Sequence, residues 1–216
     1  MTIGSTVRTL LGPRLEQVAA NAYRRMFVDL DTVAATVAGL GSFENVIEVG
    51  CGEGALMTRL LDALAPTAQG FGIDIAVNPG HNYAGNNTNV EFRQADVADI
   101  VGEGRRFDLV VVSDVLHHIP PADRRGFLES CRSLLAPGGT VVVKEWVRRR
   151  NLAHAAAYGS DRYISGDTTV AFYTESELER LFADVFCHNR APFSRAYARP
   201  HRNNVILAAS VAGGED

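Results

Sequence analysis

The run Val46-Ile47-Glu48-Val49-Gly50-Cys51-Gly52-Glu53-Gly54 constrains the chain more than any other stretch. A short apolar run ending in glycines reads as a buried parallel strand, and Leu56, Leu60, Leu61 and Leu64 follow at helical spacing. The glycines therefore occupy a strand-to-helix turn. With no Cβ in the way, such a turn lets backbone N–H groups and the positive end of a helix approach a ligand closely, which suits a nucleotide-like molecule. Gly50-Cys51-Gly52-Glu53-Gly54-Ala55 satisfies both G-x-G-x-G and the dinucleotide pattern G-x-G-x-x-G/A, so the glycines do not choose between nucleotides. Glu48 lies inside the apolar run, where an unpaired carboxylate is costly; it needs a ligand or a basic partner.

Strand and helix patterns alternate through most of the chain. Residues 13–27 and 32–40 read as two helices that cover the glycine site. Residues 70–75 form a second strand ending at Asp74, twenty positions beyond Gly54, a spacing at which a carboxylate reaches ribose hydroxyls. A crossover helix is expected at 76–89, although that segment is rich in Asn and Gly. Residues 90–97 make a third strand carrying Asp96, and the nearly all-apolar 107–112 a central fourth. Ser113-Asp114-Val115-Leu116-His117-His118-Ile119-Pro120 stands at its end. A helix over 122–135 stops at Pro137-Gly138-Gly139, and a fifth strand over 140–145 leads into Lys144-Glu145-Trp146. The irregular stretch 147–173, with Tyr158 and Tyr163, suits a substrate lid. Thr174-Glu175-Ser176-Glu177 is a capping box opening a helix to about Phe182; strands at 185–189 and 204–210 close the chain, joined by an arginine-rich loop.

This order predicts an α/β doubly wound sheet, in which ligands bind beyond the carboxyl ends of the strands. Glu48 and the glycines, Asp74, Asp96, Ser113 to His118, and Glu145 with Trp146 then line one crevice. At 216 residues a single domain is expected, divided into a helical cover (1–42), a ligand-binding core (43–146), a lid (147–173) and a C-terminal helix and hairpin (174–216). The net charge of −4 has no long block of one sign, which disfavours a general nucleic-acid or anionic-membrane surface. Cys51, Cys131 and Cys187 are scattered, with no metal-ligand spacing, so neither a disulfide framework nor a metal site is expected. With no leader pattern or spanning segment in view, a cytoplasmic protein is the expectation, its oligomeric state open.

From Val46 to Glu145, and more loosely to its end, the chain resembles the class I S-adenosylmethionine-dependent methyltransferases, through VIEVGCGEG, the Asp74 of GIDI, the Asp96 of QADV, FDLVVVSDVLHHIP and LLAPGGTVVVKE. The resemblance implies a Rossmann-like sheet of seven strands, mostly parallel with the last antiparallel, and S-adenosylmethionine as cofactor. By position, Gly50, Gly52 and Gly54, with Cys51 between them, would admit the methionine part, and Glu48 would orient it. Asp74 would take the ribose hydroxyls, while Asp96 and the Val97 N–H would hold the adenine edge; Ile75 and Ser113 would complete the cofactor wall. The family usually has a regular helix just after the acidic residue, and the composition of 76–89 departs from that.

Methyl transfer is an in-line displacement in which the protein mainly positions the acceptor. A hydroxyl acceptor must lose a proton, and histidine, with a free pKa of about 6.5, is the natural base. His117 is the first candidate and His118 the second, with Glu145 orienting the ring; Asp114, Trp146, Tyr158 and Tyr163 are candidates to touch a small-molecule acceptor, methylated at oxygen or nitrogen. Three rivals stay open: a macromolecular methyltransferase acting on RNA or protein, a dinucleotide-dependent oxidoreductase, and a silent binding protein that keeps the fold.

Overall fold

The computed structural model describes residues 27–149, 171–187 and 191–211. Seven strands, β1 (Asn45–Val49), β2 (Gln69–Asp74), β3 (Val90–Gln94), β4 (Phe107–Ser113), β5 (Leu135–Trp146), β6 (Ser194–Tyr197) and β7 (Asn204–Ser210), form one sheet in the order β3-β2-β1-β4-β5-β7-β6. The first five pair in parallel, and β7 runs antiparallel to both β5 and β6. The apolar runs of β1 and β4 lie at its centre, covered on both faces, whereas β3, with its mixed polar sequence, takes an edge.

Among the described residues, five helices, α1 (Leu30–Ala38), α2 (Ala55–Ala63), α3 (Val97–Gly102), α4 (Arg124–Ser133) and α5 (Glu175–Phe186), cover the sheet. Because successive strand residues face opposite ways, β5 sends Val142 into a core with Val33, Val37, Leu56 and Leu60 of α1 and α2. It sends Val141 and Val143 into a second core with Leu128 of α4 and Phe182 of α5. Burying each such aliphatic side chain contributes roughly 1.5–3 kcal/mol, which makes these two layers the main support of the strand ends.

Four expectations change. Residues 76–89 hold turns and no helix, since Asn, Gly and Pro79 break the helical pattern. A helix that periodicity missed, α3, starts at Val97: Asp96 accepts from the Ala98 N–H at 2.9 Å and Asp99 accepts from the Asp96 N–H at 3.0 Å, a capping box of two aspartates. The strand expected at 185–189 begins as helix, because the apolar face of α5 runs on through Val185 and Phe186; residues 188–190 lie outside the described residues, and the edge strand is β6 instead. Finally, α1 packs on α2 and the sheet face rather than over the glycines, while the helix expected at 13–27 lies, but for Phe27, outside the described residues, as do Tyr158, Tyr163 and the 150–170 part of the lid.

Candidate functional site

The glycine turn follows β1. Gly50, Gly52 and Gly54 all take left-handed φ, at 78°, 51° and 86°, and the last is the N-cap of α2. A Cβ added to Gly52 would meet no atom within 4 Å, so this glycine faces open space, while one added to Gly50 would fall 2.3 Å from Val115 Cγ2. The turn thus presents its bare backbone outward at Gly52 and packs at Gly50 against the segment that leads into His117. Between them, burial and the nearby Glu48 and Asp74 carboxylates push the Cys51 thiol upward, which keeps it protonated and unreactive.

Glu48 is 3% exposed, and its Oε2 has no hydrogen-bond partner among the described residues. Burial raises its carboxyl from the ordinary 4.5 to about 8; the Met57 N–H in the first turn of α2 works against that shift and the Asp74 charge adds to it. At the end of β2, the two Asp74 oxygens accept from the Gly52 N–H and the Ala76 N–H, each at 2.8 Å. An ionised carboxylate has about four acceptor positions, so two remain for hydroxyl donors. Ile75 beside it is 75% exposed. Val97, as the first residue of α3, has an N–H with no acceptor inside its helix. Ser113 ends β4, paired in register with Lys144.

The carboxyl ends of β4 and β5 hold the second cluster. Glu145, 1% exposed, receives the Val115 N–H at 2.8 Å and the Leu116 N–H at 2.6 Å on Oε1. Its Oε2 lies 2.8 Å from His117 Nδ1, and His117 is itself 5% exposed. The tight turn of Leu116–His118 puts the two imidazoles 4.1 Å apart between ring centres. The chain returning at 171 closes on this turn. The Ala171 N–H donates to the His117 carbonyl at 3.1 Å, Phe172 stacks on the His117 ring, and buried Arg124 joins the Ile119 and Ala171 carbonyls, each at 2.7 Å.

Asp114 has a left-handed φ of 56° and bonds the ammonium of Lys144, a side chain 1% exposed. Asp114, His117 and Glu145 offer ligand atoms within 4.8 Å of one another, a spacing that could hold a metal ion. Yet the Lys144 ammonium already neutralises Asp114, and both Glu145 oxygens are engaged. Trp146 is not brought to this cluster: it lies on the opposite face of β5 from Glu145, buried edge-on against Phe27 and His201. Sequence reasoning missed Arg124 and Lys144. A lysine directly after the apolar run Val141-Val142-Val143 was the available signal for the second, since a buried ammonium requires a carboxylate.

A family model described as "Methyltransferase domain" matches residues 18–185. A curated relative, the ubiquinone biosynthesis O-methyltransferase of Xanthomonas campestris pv. campestris (strain B100), is 34% identical over 160 residues, covering 71% of this chain and 61% of its own length. The chain thus spans about three fifths of that relative. Among solved structures, an O-methyltransferase family protein from Burkholderia thailandensis aligns with a TM-score of 0.63 at 17% identity, over 90% of this chain and 60% of that one. The 1,6-didemethyltoxoflavin-N1-methyltransferase of the same organism, solved with 1,6-didemethyltoxoflavin and S-adenosylhomocysteine, aligns with a TM-score of 0.61 at 18% identity over 98% and 92%. No helix among the described residues is long and apolar enough to cross a membrane.

Proposed function

Because the chain belongs to the class I S-adenosylmethionine-dependent methyltransferases, we propose that it methylates a hydroxyl of a small molecule, with His117 as general base and Glu145 as the group that orients it. S-adenosylmethionine supplies an electrophilic methyl on sulfonium, which leaves the protein to bind, to orient and to manage the acceptor's proton. The residues fit that cofactor. Gly52 offers the open backbone, Glu48 a buried carboxylate oxygen without a partner for a cationic amino group, Asp74 spare acceptor positions for a ribose, and Val97 an N–H for a base edge. Exposed Ile75 offers an apolar surface beside them.

The observation that carries the proposal is the His117–Glu145 contact on a segment whose Val115 packs against Gly50. A carboxylate on Nδ1 keeps the ring proton there and leaves the lone pair on Nε2, the tautomer that accepts a proton. Val115 ties this base to the cofactor turn, which is the proximity that methyl transfer needs. Oxygen is favoured over nitrogen as the accepting atom because a hydroxyl needs such a base and an amine, once neutral, does not. Asp114, held by Lys144, stands at the same strand end as a candidate contact for the acceptor.

A labelled methyl-transfer screen against phenols, carboxylates, amines and glycosides, with products identified by mass, tests the proposal. Phenol or alcohol products that vanish in His117→Ala, with S-adenosylhomocysteine binding retained, support it; amine products unaffected by His117→Ala overturn it. Asp74→Ala should separately weaken S-adenosylhomocysteine binding by about 3 kcal/mol, a hundredfold or more in Kd by calorimetry, because two charge-assisted hydrogen bonds are lost. Asp74→Asn, which keeps one acceptor oxygen, should lose less.

A further inference from the structure

Where a crossover helix was expected, residues 76–89 fold back as a loop onto the glycine turn. The Gly80 N–H donates to the Gly52 carbonyl at 2.9 Å and the Asn82 N–H to the Glu53 carbonyl at 3.0 Å. The Asn82 side-chain amide donates to Glu53 Oε2 at 3.1 Å. Further along, the Ala84 N–H reaches Thr58 Oγ1 at 3.2 Å, in the first turn of α2, and the Asn87 amide reaches the Ala68 carbonyl at 3.0 Å.

The loop's start is tied to the same turn through Asp74, one oxygen of which takes the Ala76 N–H and the other the Gly52 N–H. Gly52 is therefore held on both sides, its N–H by Asp74 and its carbonyl by Gly80. The packing leaves little slack. A Cβ on Gly54 would lie 3.1 Å from Gly80 Cα, and a Cβ on Gly80, where φ is 71°, would lie 2.1 Å from Phe92 Cγ. Phe92 of β3 thus presses the loop backbone against the turn.

We infer that this loop is an outer jaw that sets the shape of the glycine turn, and that Gly80 and Asn82 are positioning residues for cofactor binding. Three left-handed glycines in five residues have wide conformational freedom, so the peptide planes at Gly52 and Glu53 are fixed by what bonds to them from outside. The jaw holds those two carbonyls. The inference rests on reading the turn as the S-adenosylmethionine site.

Calorimetry with S-adenosylhomocysteine on the wild type, Gly80→Ala, Asn82→Ala and Asn82→Gln, together with amide exchange over residues 50–56 in the ligand-free proteins, tests it. Gly80→Ala and Asn82→Ala should each weaken binding by about fivefold or more and speed exchange in the turn, with Asn82→Gln recovering most of the loss by keeping an amide donor. If the wild type does not bind S-adenosylhomocysteine, the cofactor reading of the turn has failed. If the wild type binds and the folded variants bind within about twofold of it, the jaw is overturned and the cofactor reading stands. Weaker binding without faster exchange also overturns the jaw, because the loss would then arise from direct contact. Should Gly80→Ala fail to fold, the Asn82 pair decides.

Discussion

Glu145→Gln should cut turnover by about 10²–10⁴-fold while leaving the fold and S-adenosylhomocysteine binding nearly intact. Glutamine keeps the volume of the buried side chain, and its amide oxygen can still receive the Val115 and Leu116 N–H groups that Glu145 Oε1 receives now. Its NH2 would then face His117 Nδ1, where Oε2 stands at 2.8 Å. A donor in that place makes Nδ1 the acceptor and moves the ring proton to Nε2, so the ring can no longer accept a proton there. Glu145→Ala is the harsher change: it strands the buried Leu116 N–H and the half-buried Val115 N–H and should lower stability by about 2–5 kcal/mol. Turnover, thermal midpoint and S-adenosylhomocysteine affinity measured on both variants separate the tautomer effect from collapse of the site. Full activity in a folded Glu145→Gln would remove Glu145 from the orienting role.

Binding of S-adenosylhomocysteine should expel a proton and tighten as pH rises from 6 to 8, approaching tenfold per unit on the acidic side of that range. The cause is Glu48, whose buried carboxyl has been raised from 4.5 to about 8 and stays largely protonated at neutral pH in the free protein. A cationic amino group at its unpartnered Oε2 favours the ionised form, so the proton leaves as the ligand arrives. The same shift fixes the sign of the stability effect. Between the two values the unfolded chain has lost the proton and the folded chain keeps it. Stability from this group is therefore highest below 4.5, falls as pH rises, and levels off above about 8. Glu48→Gln should flatten both dependences and weaken binding at pH 8, where the wild type is best. Calorimetry in buffers of different ionisation enthalpy counts the proton directly; no proton release between pH 6 and 7.5 would sink the role given to Glu48.

The central strands and the glycine turn were legible because they rest on local patterns: apolar runs for β1, β2 and β4, and glycines where backbone must lie bare. Asp96 was legible as a residue but not as a cap, since Asp99 completes a box that uses aspartate where glutamate is usual. Trp146 looked like a binding aromatic because it follows Glu145. Its opposite direction comes from strand alternation, and its burial from Phe27 and His201, neither of which is adjacent to it in the chain.

What the chain determined by itself is the set of chemical groups: a bare turn, a carboxylate inside a strand, further carboxylates near strand ends, and a pair of histidines. The pairing of Glu145 with His117 across 28 residues was expected as well; tertiary structure alone decided that Lys144 meets Asp114 across 30 and Asn82 meets Glu53 across 29. Period and propensity act over a few neighbouring residues, whereas such pairs depend on which strands lie side by side and on burial that forces each polar group to find a partner.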